Sequence, residues 1–326
     1  MRWTVRSTRR LTRFAWDTTE RTCLSLGLIA SAGAAVFTLA LGPPPPQFGD
    51  EFSYLLAADT FAAGRLTNPT HPMWQHFETF HILQTPTYAS KYPPAQGLFL
   101  AVGQVLYDAP IAGAWLSLAL AAAGIGWMLR AWFSPGWSFL GGLLLCLRPQ
   151  LSYWGDCYFG GAVPLLGGAL VLGAVPRLCR ENRARDGLAL VVGLLLLANS
   201  RPYEGLLFSL VPLGTLLAYR IWLRRDRLGL APWRVLVPSS ALLAGGVAFM
   251  ASYNASVTGD PLSLPYRVYE KQYSYVPLFS WGELSTPPPY RHEVMRHFYK
   301  EWAEGTFNMT SVSPSRWWFK LRLIRH

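Results

Sequence analysis

Apolar residues along this chain fall into long unbroken runs, neither alternating nor confined to one face of a helix. Residues 23–41 (CLSLGLIASAGAAVFTLAL) carry no charge, and their length is close to the ~20 residues that cross a hydrocarbon core at about 1.5 Å each. Similar runs follow at about 110–129, 136–149, 160–176, 187–200, 205–222 and 233–253. The pattern predicts seven membrane spans, with Arg148 at the edge of one reaching for the interface. The first run reads as an uncleaved span and not as a signal peptide. The residues before it are long for an n-region, and it ends in Pro43–Pro46 instead of a small-residue cleavage site.

The polar connections orient these runs. Six arginines within residues 1–22 (Arg2, Arg6, Arg9, Arg10, Arg13, Arg21), four within 177–186 (Arg177, Arg180, Arg183, Arg185), five within 220–234 (Arg220, Arg224, Arg225, Arg227, Arg234) and Arg130 hold sixteen of the 29 basic residues. The positive-inside rule puts all of them on the cytoplasmic side, with the N-terminus inside. The first run then leads outward, and counting back from the basic 177–186 segment makes the run at 110–129 start outside as well. Residues 94–107 (PAQGLFLAVGQVLY) lie between two outer points and cannot cross. They fall below the ~17-residue minimum and predict a helix lying in the outer interface. The expected organisation is an all-α, polytopic helix bundle: a basic N-terminus 1–22, a first span 23–41, an external loop 42–109, a six-helix bundle 110–253 and an external tail 254–326.

Composition agrees with a membrane body. Apolar residues make up 51% and charged residues 14%, against about 25% charged in soluble domains. That excludes a disordered chain and disfavours a water-soluble globule. The net charge of +11 reports topology, so nucleic acid is not expected as a partner; membrane lipid is. Cys23, Cys146, Cys157 and Cys179 lack the spacing of a disulfide framework or a zinc site.

Unusual chemistry gathers on the predicted outer side. Asp50-Glu51 follows the first span. Two carboxylates beside hydrocarbon need partners or a wet cavity, and the pair reads equally well as Asp50 capping a helix with Glu51 in its first turn. Lys91-Tyr92-Pro93-Pro94 combines a helix start with one fixed cation able to meet a phosphate. Asp156, Arg201, Tyr203 and Glu204 sit at other outer span ends. Interfacial aromatic belts explain the neighbouring Trp and Tyr but not these charges. His71, His76 and His81 recur every five residues, a spacing no helix or strand puts on one face, so they read as scattered loop histidines. His292 and His297 read the same way. P-loop, Rossmann, HExxH and GxSxG motifs are absent, which removes the usual ATPases, dehydrogenases, zincins and serine hydrolases.

An acidic pair opening a long external loop, the Lys91-Tyr92-Pro93-Pro94 segment and Arg201-Pro202-Tyr203-Glu204-Gly205, across residues 20–260, resemble the GT-C glycosyltransferases. Residues 253–261 (YNASVTGDP) leading to Leu264-Pro265-Tyr266 are similar to bacterial members. The resemblance implies a multi-pass enzyme of the bacterial inner membrane using a polyprenyl-phosphate-linked sugar donor and a hydroxyl acceptor. Two departures stand out: Lys-Tyr-Pro-Pro replaces the family's usual Lys-Pro-Pro-Leu, and seven spans replace eleven or more. The run 317–326 (WWFKLRLIRH) looks like the approach to another span, and a C-terminally truncated member is expected. In this reading Asp50 is the base, Glu51 positions acceptor or metal, Lys91 and Arg201 steady the leaving phosphate, and attack inverts the sugar. The residues name no definite cofactor; Asp50, Glu51 and Asp156 are the candidate holders of a divalent metal. The rival readings are a transporter, which predicts charge at mid-membrane, and a non-catalytic scaffold subunit.

Overall fold

The computed structural model describes residues 17–223 and 233–310. Arg2, Arg6, Arg9, Arg10, Arg13, Arg224, Arg225, Arg227 and the run 317–326 lie outside the described residues. Among the described residues, five helices are long and apolar enough to cross a membrane: α1 (Thr19–Leu41), α4 (Pro110–Trp132), α7 (Ala162–Arg180), α9 (Pro202–Ala218, continued by a π-helical turn Tyr219–Leu223) and α10 (Trp233–Thr258). This is a membrane protein built on a helical bundle.

Two of the seven expected spans fall short as single helices. The run at 136–149 is split into α5 (Pro135–Cys146) and α6 (Pro149–Gly155). The cause is Pro149, which forces the preceding Arg148 into extended backbone (φ −75°, ψ 132°). The two pieces still climb alongside α1: Cys146 Sγ bonds Leu26 O at 3.8 Å, a Cβ on Gly155 would press on Ala34, and Thr38 Oγ1 donates to Asp156 at 3.2 Å. The run at 187–200 forms α8 (Ala184–Ala198), fifteen residues or about 22 Å long. It packs antiparallel on α7, with Gly193 against Gly167. Small residues mark the other contacts too, Gly27 of α1 on Ala119 and Gly124 of α4 on Leu166 and Ala169. Close approach of backbones is how helices gain van der Waals energy where lipid removes the hydrophobic drive.

One end of the bundle collects the described arginines of the basic connections. Arg177, Arg180 and Arg220 donate to Trp127 O, Ala131 O and Leu178 O at 2.8, 2.8 and 2.7 Å. Arg180 and Arg220 thereby satisfy carbonyls in the last turns of α4 and α7, which helix ends leave without partners. At the opposite end lie the ends of α1, α8 and α10, the starts of α4, α7 and α9, and a folded cap. The charge pattern predicted this segregation, and the described arginines of the basic connections follow it.

Residues 95–107 form α3 (Ala95–Tyr107), too short to cross. It follows α2 (Gly49–Ala62) and doubles back on α4 so closely that a Cβ on Gly113 would overlap Phe99 O. Its other edge exposes Leu98, Val102, Val105, Leu106 and Tyr107. The cap also carries one antiparallel pair that the all-α expectation lacked, β1 (Ile82–Leu83) on β2 (Ala89–Ser90). The tail is not a separate piece. Its helices α11 (Pro265–Tyr273), α12 (Glu293–His297) and α13 (Glu304–Thr310) fold back so that Tyr269, Tyr273, Tyr275, Met295 and Tyr299 share one buried core with Leu83 and Ala89.

Candidate functional site

Helix α2 begins at Gly49, with Phe48 as its N-cap residue. The sequence assigned capping to Asp50, but Glu51 does it. Buried Glu51 accepts from Gln47 N at 2.9 Å, Phe48 N at 3.2 Å and, across to the 156–161 turn, Tyr158 N at 3.1 Å. Its carboxylate is consumed by backbone, so a role in holding acceptor or metal does not fit. Asp156 turns away to Thr38. The three carboxylates expected to hold a metal are thus not brought together, and no metal-binding group of three His, Cys, Asp or Glu occurs among the described residues.

Asp50 has a different setting. Its side chain is about one-third exposed, it accepts a hydrogen bond from Tyr92 Oη, and His81 Nε2 lies 3.4 Å from Oδ1. Burial, with Asp50 adding to it, pushes the Tyr92 phenol far up, so its proton stays in place as a donor. His81 adopts a left-handed backbone (φ 63°), uncommon for a residue with a side chain. Three bonds hold it there: Ser53 Oγ to His81 O at 2.6 Å, Lys91 N to the same oxygen at 3.1 Å, and His81 N to Tyr269 Oη at 2.9 Å. Overdetermined backbone of this kind clusters at functional sites.

The segment after β2 is fixed next. Ser90 Oγ accepts from Tyr92 N at 3.1 Å, and Ala95 N donates to Asn199 O at 3.0 Å, tying the start of α3 to the end of α8. Lys91 is 5% exposed. Its ammonium meets Glu270 of α11 at 3.2 Å and lies 4.7 and 4.6 Å from the ring centroids of Tyr266 and Tyr269. Burial lowers its pKa, while Glu270 and Asp50 oppose that shift. A buried cation requires such a partner.

Lys91, Tyr92, Arg201, Tyr203 and Glu204 line one cleft of about 110 Å³, closed by Tyr253 and Asn254 of α10 and by Tyr266. Five of the eight sequence candidates thus meet. Asp50 stands behind Tyr92, one hydrogen bond from the cleft wall, and Glu51 and Asp156 serve structure. Arg201 is half exposed and faces Glu204 at 3.8 Å, a contact worth little by itself. Arg201 and Glu204 also close the upper end of an apolar groove of about 370 Å³ between α4, α7 and α9, walled by Ile125, Leu165, Leu172 and Phe208. A greasy channel therefore ends at a guanidinium that belongs to a polar cleft.

Sequence reasoning missed His81, Glu270 and Tyr266. His71 and His76 stay apart from the site: His71 Nδ1 accepts from Met73 N at 3.1 Å, and His76 is exposed. His292 bonds Gln75 O at 2.7 Å and His297 faces Glu301 at 2.9 Å. Only the requirement that buried Lys91 find an anion could have pointed to the tail.

Burial first, then Lys91, depresses the His81 pKa from 6.5 to about 4, against the pull of Asp50. Between these values the unfolded chain binds a proton that the folded chain refuses, so stability is full above pH 6.5 and falls as pH drops toward 4. Thermal unfolding in detergent from pH 7.5 to 4 should show this loss, and His81→Gln should flatten it. An identical pH slope in the variant would show that His81 is not the group titrating.

No protein-family model, curated protein or solved structure matches the chain.

Proposed function

We propose that this chain is a GT-C-type membrane glycosyltransferase. It moves a sugar from a polyprenyl-phosphate donor to a hydroxyl acceptor at the non-cytoplasmic face of a bacterial inner membrane. The observation that carries the reading is the shared Arg201–Glu204 edge, where an apolar groove meets a cleft that also holds Lys91. A lipid phosphate needs both surfaces side by side: hydrocarbon for the chain, cations for the head. In this reading α3 lies in the outer interface, its exposed leucines and valines in lipid.

The chemistry follows from the residues. The bond between the anomeric carbon and the phosphate oxygen breaks, and its electron pair leaves with the phosphate. Arg201, free to reorient, meets the new charge directly, and Lys91 adds a fixed positive field from beneath. The acceptor oxygen attacks from the opposite face, inverting the anomeric carbon, and its proton passes directly to the exposed edge of the Asp50 carboxylate, beside the Tyr92 wall of the cleft. Tyr92 and His81 hold that carboxylate in one orientation. Glu51 anchors the helix that carries it.

Purified chain in proteoliposomes with radiolabelled polyprenyl-phosphate sugars and envelope extract as acceptor tests the reading. Label should move from the lipid to the acceptor fraction, and Arg201→Ala should weaken donor use by about 10- to 100-fold, the worth of a charge-assisted bond. Failure of transfer with every lipid-linked donor would leave the scaffold reading in its place.

A further inference from the structure

A second cavity, of about 220 Å³, opens in the cap where the first external loop meets the tail, and it shares no wall residue with the Lys91 cleft. Trp74, Tyr273 and Tyr290 give it aromatic faces; Glu78, Gln272 and Arg291 give it polar edges. Each of these groups is held. The Glu78 side chain is 5% exposed and accepts from Arg291 Nη1 at 2.7 Å and Tyr273 Oη at 3.2 Å. Arg291 lies 5.0 Å over the Trp74 ring. Tyr290 stacks on Tyr299 and donates to Tyr273 O at 2.8 Å. Gln272 donates to Thr85 O at 3.0 Å, yet its Oε1 is buried without a hydrogen-bond partner. Such an acceptor costs free energy until a donor reaches it.

We propose that this cavity binds one neutral pyranose ring. Glu78 and Arg291 cancel in charge, so neither an anion nor a cation gains there. An apolar ligand would leave Gln272 Oε1 without a donor and cover the remaining N–H groups of the half-exposed Arg291. A sugar ring has both surfaces the walls ask for: axial C–H bonds to lie on aromatic rings, and hydroxyls that donate and accept around its rim. The volume lies below the ~300–1,000 Å³ of drug-sized sites, which restricts the ligand to a single ring or the end of a chain. In the assembled protein the site would hold a saccharide at the cap surface, apart from any bond-making step, and it does not depend on the transferase reading.

Saturation-transfer NMR on the full-length protein in detergent, with methyl glycosides of glucose, mannose, galactose and N-acetylglucosamine at millimolar concentration, tests the assignment. No donor lipid is needed, so the outcome is independent of transfer. At least one glycoside should receive magnetisation at its ring protons. Trp74→Ala and Gln272→Met should each weaken that signal roughly fivefold or more, as expected for loss of one aromatic or polar contact. If Trp74→Ala fails to fold, Gln272→Met decides alone, since it removes the acceptor and keeps the side-chain length. No signal from any glycoside, or a signal that the folded variants leave intact, overturns the proposal.

Discussion

Replacing Asp50 with asparagine should lower sugar transfer about 10²- to 10⁴-fold, the usual contribution of a positioned general base, while the donor KM changes little. Asparagine keeps the shape and still accepts from Tyr92 Oη, so the fold should survive; what it lacks is the basicity to take the acceptor proton. The expected signature is a fall in kcat with an unaltered unfolding temperature. A variant with wild-type turnover would remove Asp50 from the chemistry and turn attention to Glu204 and Glu270, the carboxylates that face Arg201 and Lys91.

The neighbouring acid should behave in the opposite way. Glu51→Ala strips the acceptor from three backbone N–H groups, those of Gln47, Phe48 and Tyr158. Two of them belong to the chain entering α2 and one to the turn before α7. Hydrogen bonds to a charged group contribute about 1.5–3 kcal/mol each, and buried donors left unmet cost about 1–3 kcal/mol apiece. A loss of about 3 kcal/mol or more is therefore expected, visible as a large drop in thermal unfolding temperature and in folded yield. Glu51→Gln should rescue only in part, because its amide end meets N–H groups with another donor. A stable but inactive Glu51→Ala protein would reverse the roles assigned to the two carboxylates.

The contrast between these acids marks how far the chain could be read in advance. Uncharged runs of nearly twenty residues predict α1, α4 and α7 because lipid tolerates little else. Arginine placement predicts which helix ends lie together. The short run at 94–107 is legible as a non-spanning helix from its length and from the parity of the spans on either side. The break at Arg148 was signalled by Pro149, yet a run of hydropathy hides it, because hydropathy counts side chains and the break is a backbone effect. Lys91, Tyr92 and Arg201 stood out as charges and aromatics at span ends. Their partners did not. Glu270 is 179 residues from Lys91, and Tyr269 meets the His81 backbone across 188. No periodicity encodes a tail folding onto a loop; only the cost of an unpaired buried ammonium hints at it. His81 was masked by the two unrelated histidines that share its spacing. Asp50 and Glu51 are adjacent and chemically alike, and nothing local says which one the backbone consumes.

The proposed transfer requires the cleft to face away from the cytosol, where a lipid-linked sugar donor would reach it. Gln47 is exposed at the start of α2, three residues from Asp50. A single cysteine there, in a chain whose four natural cysteines are alanine, can be tested with a membrane-impermeant thiol reagent on intact spheroplasts. The account predicts that Gln47→Cys is labelled in intact spheroplasts as fully as after permeabilisation. Labelling that appears only after the membrane is opened would place Asp50 and the cleft on the cytoplasmic side and contradict it.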